Sequence, residues 1–240
     1  MLILAIDTST RTGSAAILRD SEVLFEVSGY EETPYSMRLF RDIALLQNRA
    51  NFRLDQVDVF AVAAGPGSFT GLRVGLTAVK AWAEVHRKPI AAVSGLEAIA
   101  VESLSGESLR SSNACFIAPF LDARRGQVFG AIYQRMPENS LHLSLASDES
   151  ILSPDEFLDL VKRMFPQTVQ LVSPSPDVLP ATHLREVLPD ARIMTVSAAL
   201  APAIGRLGFE RAKRGDLVDS IRLDANYVRR SDAESAWKDG

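Results

Sequence analysis

The first candidate for a functional segment is a glycine turn, Gly65-Pro66-Gly67-Ser68, which leads into a helix pattern. The two glycines permit backbone angles closed to other residues, the proline fixes one dihedral angle, and Ser68 or Thr70 can cap the helix. Such a turn presents backbone N–H groups at a helix start, where an anion binds favourably. The same residues also fit a tight strand-to-helix connection without a ligand. The turn alone leaves both interpretations open.

Other catalytic patterns are missing from the sequence. Ser68 does not fit the Gly-x-Ser-x-Gly pattern of a serine nucleophile, because Pro66 and Thr70 occupy the flanking glycine positions. The three histidines lie far apart in the sequence and match no metal-binding spacing. They are His86, His142 and His183. The sequence therefore predicts no catalytic residue and no metal site.

The helix after the turn has one face with almost no side chains. Gly71, Gly75 and Ala78 recur at i, i+4 and i+7, so another element must pack very close to this face. The other faces are apolar and carry Leu72, Leu76, Val79 and Ala83, with Val74, Ala81, Trp82 and Val85 beside them. A helix that is apolar nearly all round is buried on two sides. Either its own sheet and a neighbouring helix cover it, or a partner protein covers the second face.

The elements around the turn suggest a layered α/β unit. The apolar run at 57–64 predicts a strand buried on both faces of a mostly parallel sheet. A helix pattern at 34–50 carries Met37, Phe40 and Ala44 as a second apolar stripe, beside the stripe that faces the sheet. In order, the first part of the chain is predicted to contain strands at 2–6, 14–18 and 23–27, a helix at 34–50, a strand at 57–64, a helix at 70–86, a strand at 89–93 and a helix at 95–104.

A polar connection at 103–113 predicts a boundary between two lobes, 1–104 and 105–240. An alternative is that the last helix and the tail return to the first lobe. Ser153 and Glu156 are spaced as a capping box and start a helix. In order, the second lobe is predicted to contain strands near 115–121, 127–133 and 141–146, a helix at 153–165, a strand at 168–172, a helix at 197–214 and a short edge strand at 223–228.

Composition argues against three classes of protein: those that mainly bind nucleic acid, those held by disulfides and those that span a membrane. The net charge of −4 and pI near 5.5 argue against a surface built mainly to grip nucleic acid. The one cysteine, Cys115, excludes an intramolecular disulfide and suits the core of a protein in the reducing cytoplasm. No apolar stretch is long enough to predict a membrane span.

The segment Ala64–Gly75 resembles the signature of the TsaB (YeaZ) family of bacterial proteins. Weaker similarities follow the family's order at 3–10, 94–98, 122–129 and 226–230. The resemblance implies an α/β, two-lobed actin-like ATPase fold of the ASKHA, ribonuclease H-like type. The predicted order of three strands, helix, strand, helix and strand agrees with one lobe of that fold.

By this resemblance, Asp7 and Asp122 occupy the places of the aspartates that lead the two phosphate-binding hairpins. Both loops depart from the working pattern, because Ser9 stands where glycine is usual and Arg124-Arg125 stand where compact residues are expected. The nucleotide loops are therefore predicted to be degenerate. In the alternative interpretation, each carboxylate simply caps backbone N–H groups of its own turn.

The resemblance implies a non-catalytic partner subunit of TsaD in threonylcarbamoyladenosine (t6A) modification of tRNA next to the anticodon. TsaE is a further implied partner, and the chain is expected to contact tRNA only through the complex. The one cofactor that the resemblance implies is ATP or ADP, bound at the interface with TsaD. The rivals are a free-standing actin-like ATP-dependent phosphotransferase that uses Asp7 and Asp122, and a homodimeric structural protein. The predicted partner interface consists of Met37, Phe40, Ala44, Gly71, Gly75, Ala78 and Trp82.

Overall fold

The computed structural model describes residues 1–29, 33–104, 116–136, 141, 143–164, 169–189 and 191–228. The chain divides into two compact units, the first formed by Met1–Gly95 and Ala199–Gly240 and the second by Leu96–Ala198. In chain order the elements are β1 (Leu2–Asp7), β2 (Ser14–Arg19), β3 (Glu22–Ser28), α1 (Tyr35–Ala50), β4 (Val59–Gly65), α2 (Phe69–His86), β5 (Ile90–Ser94), α3 (Gly95–Glu102), β6 (Phe116–Arg124), β7 (Gln127–Arg135), β8 (Leu143–Leu152), α4 (Pro154–Met164), β9 (Val169–Ser173), α5 (Ala181–Val187), β10 (Ile193–Thr195) and α6 (Ala201–Arg214).

The first unit is built on a sheet with the order β3-β2-β1-β4-β5. Strands β1, β2 and β3 pair antiparallel, whereas β1, β4 and β5 pair parallel. Helices α1 and α2 pack on one face of this sheet and form a core cluster with it, to which Leu4 and Phe60 belong. Helix α6 lies on the opposite face, where Gly205 and Gly208 bring its backbone close to Leu18 and Ala61. Helices on both faces explain why β1, β2 and β4 are buried on both sides and contain nearly continuous apolar runs.

The second unit has the sheet order β10-β9-β6-β7-β8. Strands β6, β7 and β8 pair antiparallel, and β6, β9 and β10 pair parallel. Its core contains Phe120 and Phe157, whose ring centroids lie 5.7 Å apart. The predicted capping box is confirmed: Ser153 N–H donates to Glu156 Oε2 at 2.7 Å, and Glu156 N–H donates to Ser153 Oγ at 3.2 Å.

Several features of the structure differ from the sequence prediction. The units separate after Gly95 rather than at residue 104. Residues 199–240 belong to the first unit, as the alternative interpretation of the sequence allowed, because α6 covers the open face of its sheet. Residues 223–228 form no strand: Leu223 is buried in the core, and Asn226 N–H donates to Ala64 O at the end of β4. Helix α5 and strand β10 were not predicted. Cys115 lies outside the described residues.

None of the helices in the described part of the chain has both the length and the apolar content that crossing a membrane requires.

Candidate functional site

The bare face of α2 packs against the loop between β1 and β2 in the same unit. A Cβ on Gly71 would stand 1.9 Å from the backbone oxygen of Thr8, and one on Gly75 would stand 2.4 Å from Thr8 Oγ1. Thr8 Oγ1 also donates a hydrogen bond of 2.7 Å to Gly71 O. Gly67 approaches Ser9 in the same way, because a Cβ on Gly67 would stand 2.6 Å from Ser9 O. The glycines of the signature therefore make room for the chain's own hairpin loop.

This packing corrects part of the predicted partner interface. Gly71, Gly75 and Ala78 are buried, and the two glycines face Thr8 inside the first unit. The periodicity correctly indicated that something packs very close to α2, but the neighbour is a loop of the same chain. These three residues are therefore not available to a partner protein.

Asp7 is fully buried at the end of β1, and its own loop satisfies its carboxylate. Asp7 Oδ1 accepts hydrogen bonds from Ser9 N–H at 2.8 Å and from Ser9 Oγ at 2.6 Å, and Oδ2 accepts one from Thr10 Oγ1 at 3.3 Å. Burial raises the pKa of Asp7, and the hydrogen bonds from Ser9 partly oppose that shift. Ser68 N–H ties the loop to the glycine turn by donating to Ser9 O at 2.8 Å. In this geometry Asp7 organises the loop, as the alternative interpretation of the sequence proposed.

Helix α1 closes the same hairpin from its other side. Tyr35 donates a hydrogen bond of 2.6 Å to Thr10 O, and its hydroxyl stands 1.9 Å from where a Cβ on Gly13 would lie. Arg38 is buried, donates to Thr12 O in the hairpin at 2.5 Å and to Gly29 O after β3 at 2.9 Å, and lies 4.4 Å from the centroid of the Tyr35 ring. Burial raises the pKa of the Tyr35 hydroxyl, and the nearby Asp7 carboxylate adds to the shift. The sequence reasoning missed Tyr35 and Arg38, although their i, i+3 spacing places them on one face at the start of the helix.

The tail of the chain packs on the other end of the glycine turn. Asn226 N–H donates to Ala64 O at 2.7 Å, and a Cβ on Gly65 would stand 2.5 Å from Asn226 O. The Tyr227 ring lies 5.1 Å from the Phe69 ring. Three segments of the family resemblance, at 3–10, 64–75 and 226–230, thus meet through their described residues where β1 and β4 end. In α/β sheets this is the edge at which ligands usually bind.

Asp122 lies in the second unit and is exposed. Its Oδ1 accepts a hydrogen bond of 2.7 Å from Arg124 N–H, so it also caps its own turn. The turn continues through Arg124, Arg125 and Gly126, whose φ angles are 63°, 56° and 71°. Asp7 in the first unit and Asp122 in the second therefore each accept a hydrogen bond from the backbone N–H two residues later.

Metal ligands are not clustered in the part of the chain that the structure describes, where no group of three His, Cys, Asp or Glu residues could hold an ion. His183 Nε2 lies 3.0 Å from Asp155 Oδ1 in the second unit, and His142 is outside the described residues.

The outward sides of α1 and α2 carry an α1–α2 apolar surface, formed by Met37, Phe40, Ala44, Trp82 and Val85. Four of these side chains are exposed and Trp82 is half-buried. Phe40 and Trp82 join the helices through an edge-to-face ring contact with 6.0 Å between centroids. Of the predicted interface residues, Met37, Phe40, Ala44 and Trp82 therefore remain accessible.

Comparison with known proteins decides the family. The family model of TsaD, described as tRNA N6-adenosine threonylcarbamoyltransferase, matches residues 34–186. The tRNA threonylcarbamoyladenosine biosynthesis protein TsaB of Bacillus subtilis is 31% identical over 237 residues, which cover 99% of this chain and 98% of that protein. The chain belongs to the TsaB family.

Solved structures agree with the TsaB family and with the predicted fold. YeaZ from Pseudomonas aeruginosa matches with a TM-score of 0.72 and 25% identity over 94% of this chain and 99% of that one. A ROK hexokinase from Thermus thermophilus matches with a TM-score of 0.53 and 12% identity over 88% of this chain and 100% of that one, which shows the fold alone. The predicted α/β, two-lobed actin-like ATPase fold is confirmed.

Proposed function

We propose that this chain is a non-catalytic subunit in the synthesis of threonylcarbamoyladenosine on tRNA and that it pairs with TsaD in the cytoplasm. The observation that carries the proposal is that the residues of the loop between β1 and β2 are engaged in contacts within this chain. Asp7 is fully buried and bonded to Ser9, and Thr8 fills the space beside Gly71 and Gly75. A loop whose carboxylate and backbone are engaged in this way does not fit a nucleotide phosphate or its metal ion.

The partner is proposed from the α1–α2 apolar surface. A contiguous exposed apolar patch on a globular protein typically marks a binding surface. The TsaD family model matches residues 34–186, a range that includes α1 and α2. TsaD is therefore expected to carry an equivalent helix pair, and equivalent surfaces can pair around an approximate twofold axis. A second copy of this chain would compete for the same surface.

The remaining partners follow from the same proposal. The net charge of −4 favours contact with tRNA through the complex rather than by this chain alone. TsaE is proposed to join the assembly, and any ATP or ADP is proposed to bind at the interface with TsaD. The rival function, a free-standing phosphotransferase that uses Asp7 and Asp122, requires an accessible carboxylate at Asp7, and this carboxylate is buried.

Reconstitution tests the proposal. We expect this chain alone to form no threonylcarbamoyladenosine on tRNA and to hydrolyse no ATP, whereas with TsaD and the remaining components it supports modification. Phe40→Ser removes an exposed ring from the α1–α2 apolar surface and should weaken binding to TsaD by about tenfold or more. Leu145→Ser, which changes an exposed apolar residue on β8 of the second unit, is the matched control and should bind normally.

Two outcomes would contradict this function. Modification of tRNA by this chain in the absence of TsaD would show that it is itself catalytic. Equal binding to TsaD by the wild type, Phe40→Ser and Leu145→Ser would show that the α1–α2 apolar surface is not the interface.

A further inference from the structure

A turn in the tail, Asp219-Ser220-Ile221-Arg222, holds an isoleucine in solvent. Ile221 is 88% exposed, the highest value for a large apolar side chain in the described part of the protein. The turn is nevertheless well formed, because Asp219 Oδ1 accepts hydrogen bonds from Ile221 N–H at 3.0 Å and from Arg222 N–H at 2.7 Å. The exposure of Ile221 is thus fixed by a built turn.

Both sides of this turn are anchored to the first unit. Before it, Val218 and Ile90 exchange two backbone hydrogen bonds of 2.8 Å each. After it, Leu223 is only 1% exposed and belongs to the core cluster that includes residues of α2. The side chain of Ser220 donates a hydrogen bond to Glu84 Oε2 near the end of α2. The turn is therefore attached to the carboxyl-terminal end of α2.

The Asp219–Arg222 turn is attached to a helix that carries part of the α1–α2 apolar surface. The four most exposed large apolar side chains among the described residues are Ile221 at 88%, Val85 at 75%, Met37 at 72% and Phe40 at 60%. All four lie on α1, on α2 or on the turn attached to α2. Val85 and Ile221 each adjoin one of the two residues, Glu84 and Ser220, that the side-chain hydrogen bond joins. The elements that carry these groups are joined in turn, α1 to α2 by the Phe40–Trp82 ring contact and α2 to the turn by the Ser220–Glu84 hydrogen bond.

We propose that the Ile221 turn is a third element of the surface that binds TsaD, with Ile221 entering an apolar recess of TsaD beyond the end of the helix pair. This inference rests on the proposed function, because its occupant is the partner named there. The attachment of the turn to the end of α2 favours the same occupant for the turn and for the α1–α2 apolar surface. The hydrogen bonds that already fix the turn reduce the entropy lost when it is ordered in a complex.

The experiment measures the affinity of the full-length variants Ile221→Ser, Val85→Ser and Leu145→Ser for purified TsaD, with the melting temperature and oligomeric state of each variant. Because Ile221 is exposed, Ile221→Ser should melt like the wild type. Its affinity should fall by about tenfold or more, as expected when a large aliphatic side chain no longer enters an apolar recess. Val85→Ser should also bind more weakly, and Leu145→Ser should bind like the wild type.

The outcomes separate the two hypotheses. If the wild type binds TsaD and Ile221→Ser binds equally well, the turn is outside the interface and this inference is wrong, while the proposed function stands. If the wild type does not bind TsaD at all, the proposed function itself fails, and the inference fails with it. If Ile221→Ser dissociates a homodimer but leaves TsaD binding unchanged, the turn serves a second copy of this chain, which also overturns the inference.

Discussion

At the residue scale, the glycines of α2 are explained by packing. Thr8 lies where side chains at Gly71 and Gly75 would be, and Ser9 lies beside Gly67. The hairpin loop can approach the helix backbone only because these positions lack a Cβ. The glycines of the signature are therefore explained by the close packing of one loop on the glycine turn and on α2. This packing connects the end of β1 to the start of α2.

We predict that filling the bare face destabilises the fold. Gly75→Ala should lower the free energy of unfolding by about 1–3 kcal/mol through overpacking, and Gly71→Ala by more, because its nearest atom is a backbone oxygen rather than a movable side chain. Gly75→Leu should prevent folding. Gly29→Ala is the control, since nothing lies within 4 Å of its Cβ position. Thermal melting followed by circular dichroism measures the effect, and a Gly75→Leu variant that melts like the wild type would contradict the packing.

Asp7 gives a second prediction at this scale. Because burial raises its pKa, the stability linked to protonated Asp7 is fully present below the ordinary value of 3.8 and is lost as the pH rises through the higher pKa of the folded state. Asp7→Asn remains neutral and keeps an oxygen that accepts from Ser9. We therefore expect Asp7→Asn to gain stability relative to the wild type as the pH rises above 3.8 and through the raised pKa of Asp7 in the folded state.

Urea denaturation of both proteins across that pH range measures the difference. Asp7→Ala is the comparison, because it leaves the Ser9 donors without their acceptor and should be less stable than Asp7→Asn throughout. A constant difference between wild type and Asp7→Asn at every pH would mean that Asp7 is not perturbed by burial.

At the element scale, α1 and the tail each serve two purposes. The first turns of α1 direct Tyr35 and Arg38 into the hairpin, while Met37 and Phe40 face outward. The helical repeat allows this division, since residues three apart share a face and their neighbours do not. The α1–α2 apolar surface is therefore carried by a helix that also holds the hairpin loop in place.

Two apolar residues of the tail, buried Leu223 and exposed Ile221, allow a matched comparison of their effects on stability. Leu223→Ala should lower the free energy of unfolding by about 2–4 kcal/mol, because it opens a cavity in the core cluster next to α2. Ile221→Ser, two positions earlier, should change stability by less than about 0.5 kcal/mol, because its side chain is exposed. Chemical denaturation of the two variants checks this contrast, and equal effects would show that the tail is not anchored through Leu223.

At the scale of the whole molecule, the first unit is discontinuous in sequence. Its sheet is formed by the residues up to Gly95, but α6 returns from beyond the second unit to cover one face. The buried residues of α6 include Ala203, Ile204 and Leu207. Without them, the apolar face of β1, β2 and β4 would be open to water.

We predict that a chain ending at residue 198 loses the cooperative folding of the first unit. A chain ending at residue 228 keeps α6 and the contacts of Leu223 and Asn226, so it serves as the control and should retain the cooperative folding of the first unit. Circular dichroism melting and limited proteolysis distinguish the two truncations. Retention of a native-like, protease-resistant first unit in the shorter chain would contradict the role of α6.

Four features could be predicted from the sequence: the helix and strand periods, the glycine turn, the capping box at Ser153 and the family. These features depend on neighbours along the chain, which a sequence displays directly. Tertiary structure alone decided the direction of the bare face of α2, because its neighbour Thr8 is 63 residues from Gly71. It also decided the return of α6 and the docking of Asn226 on Ala64. Periodicity shows that a face must be covered, but only the folded chain shows which segment covers it.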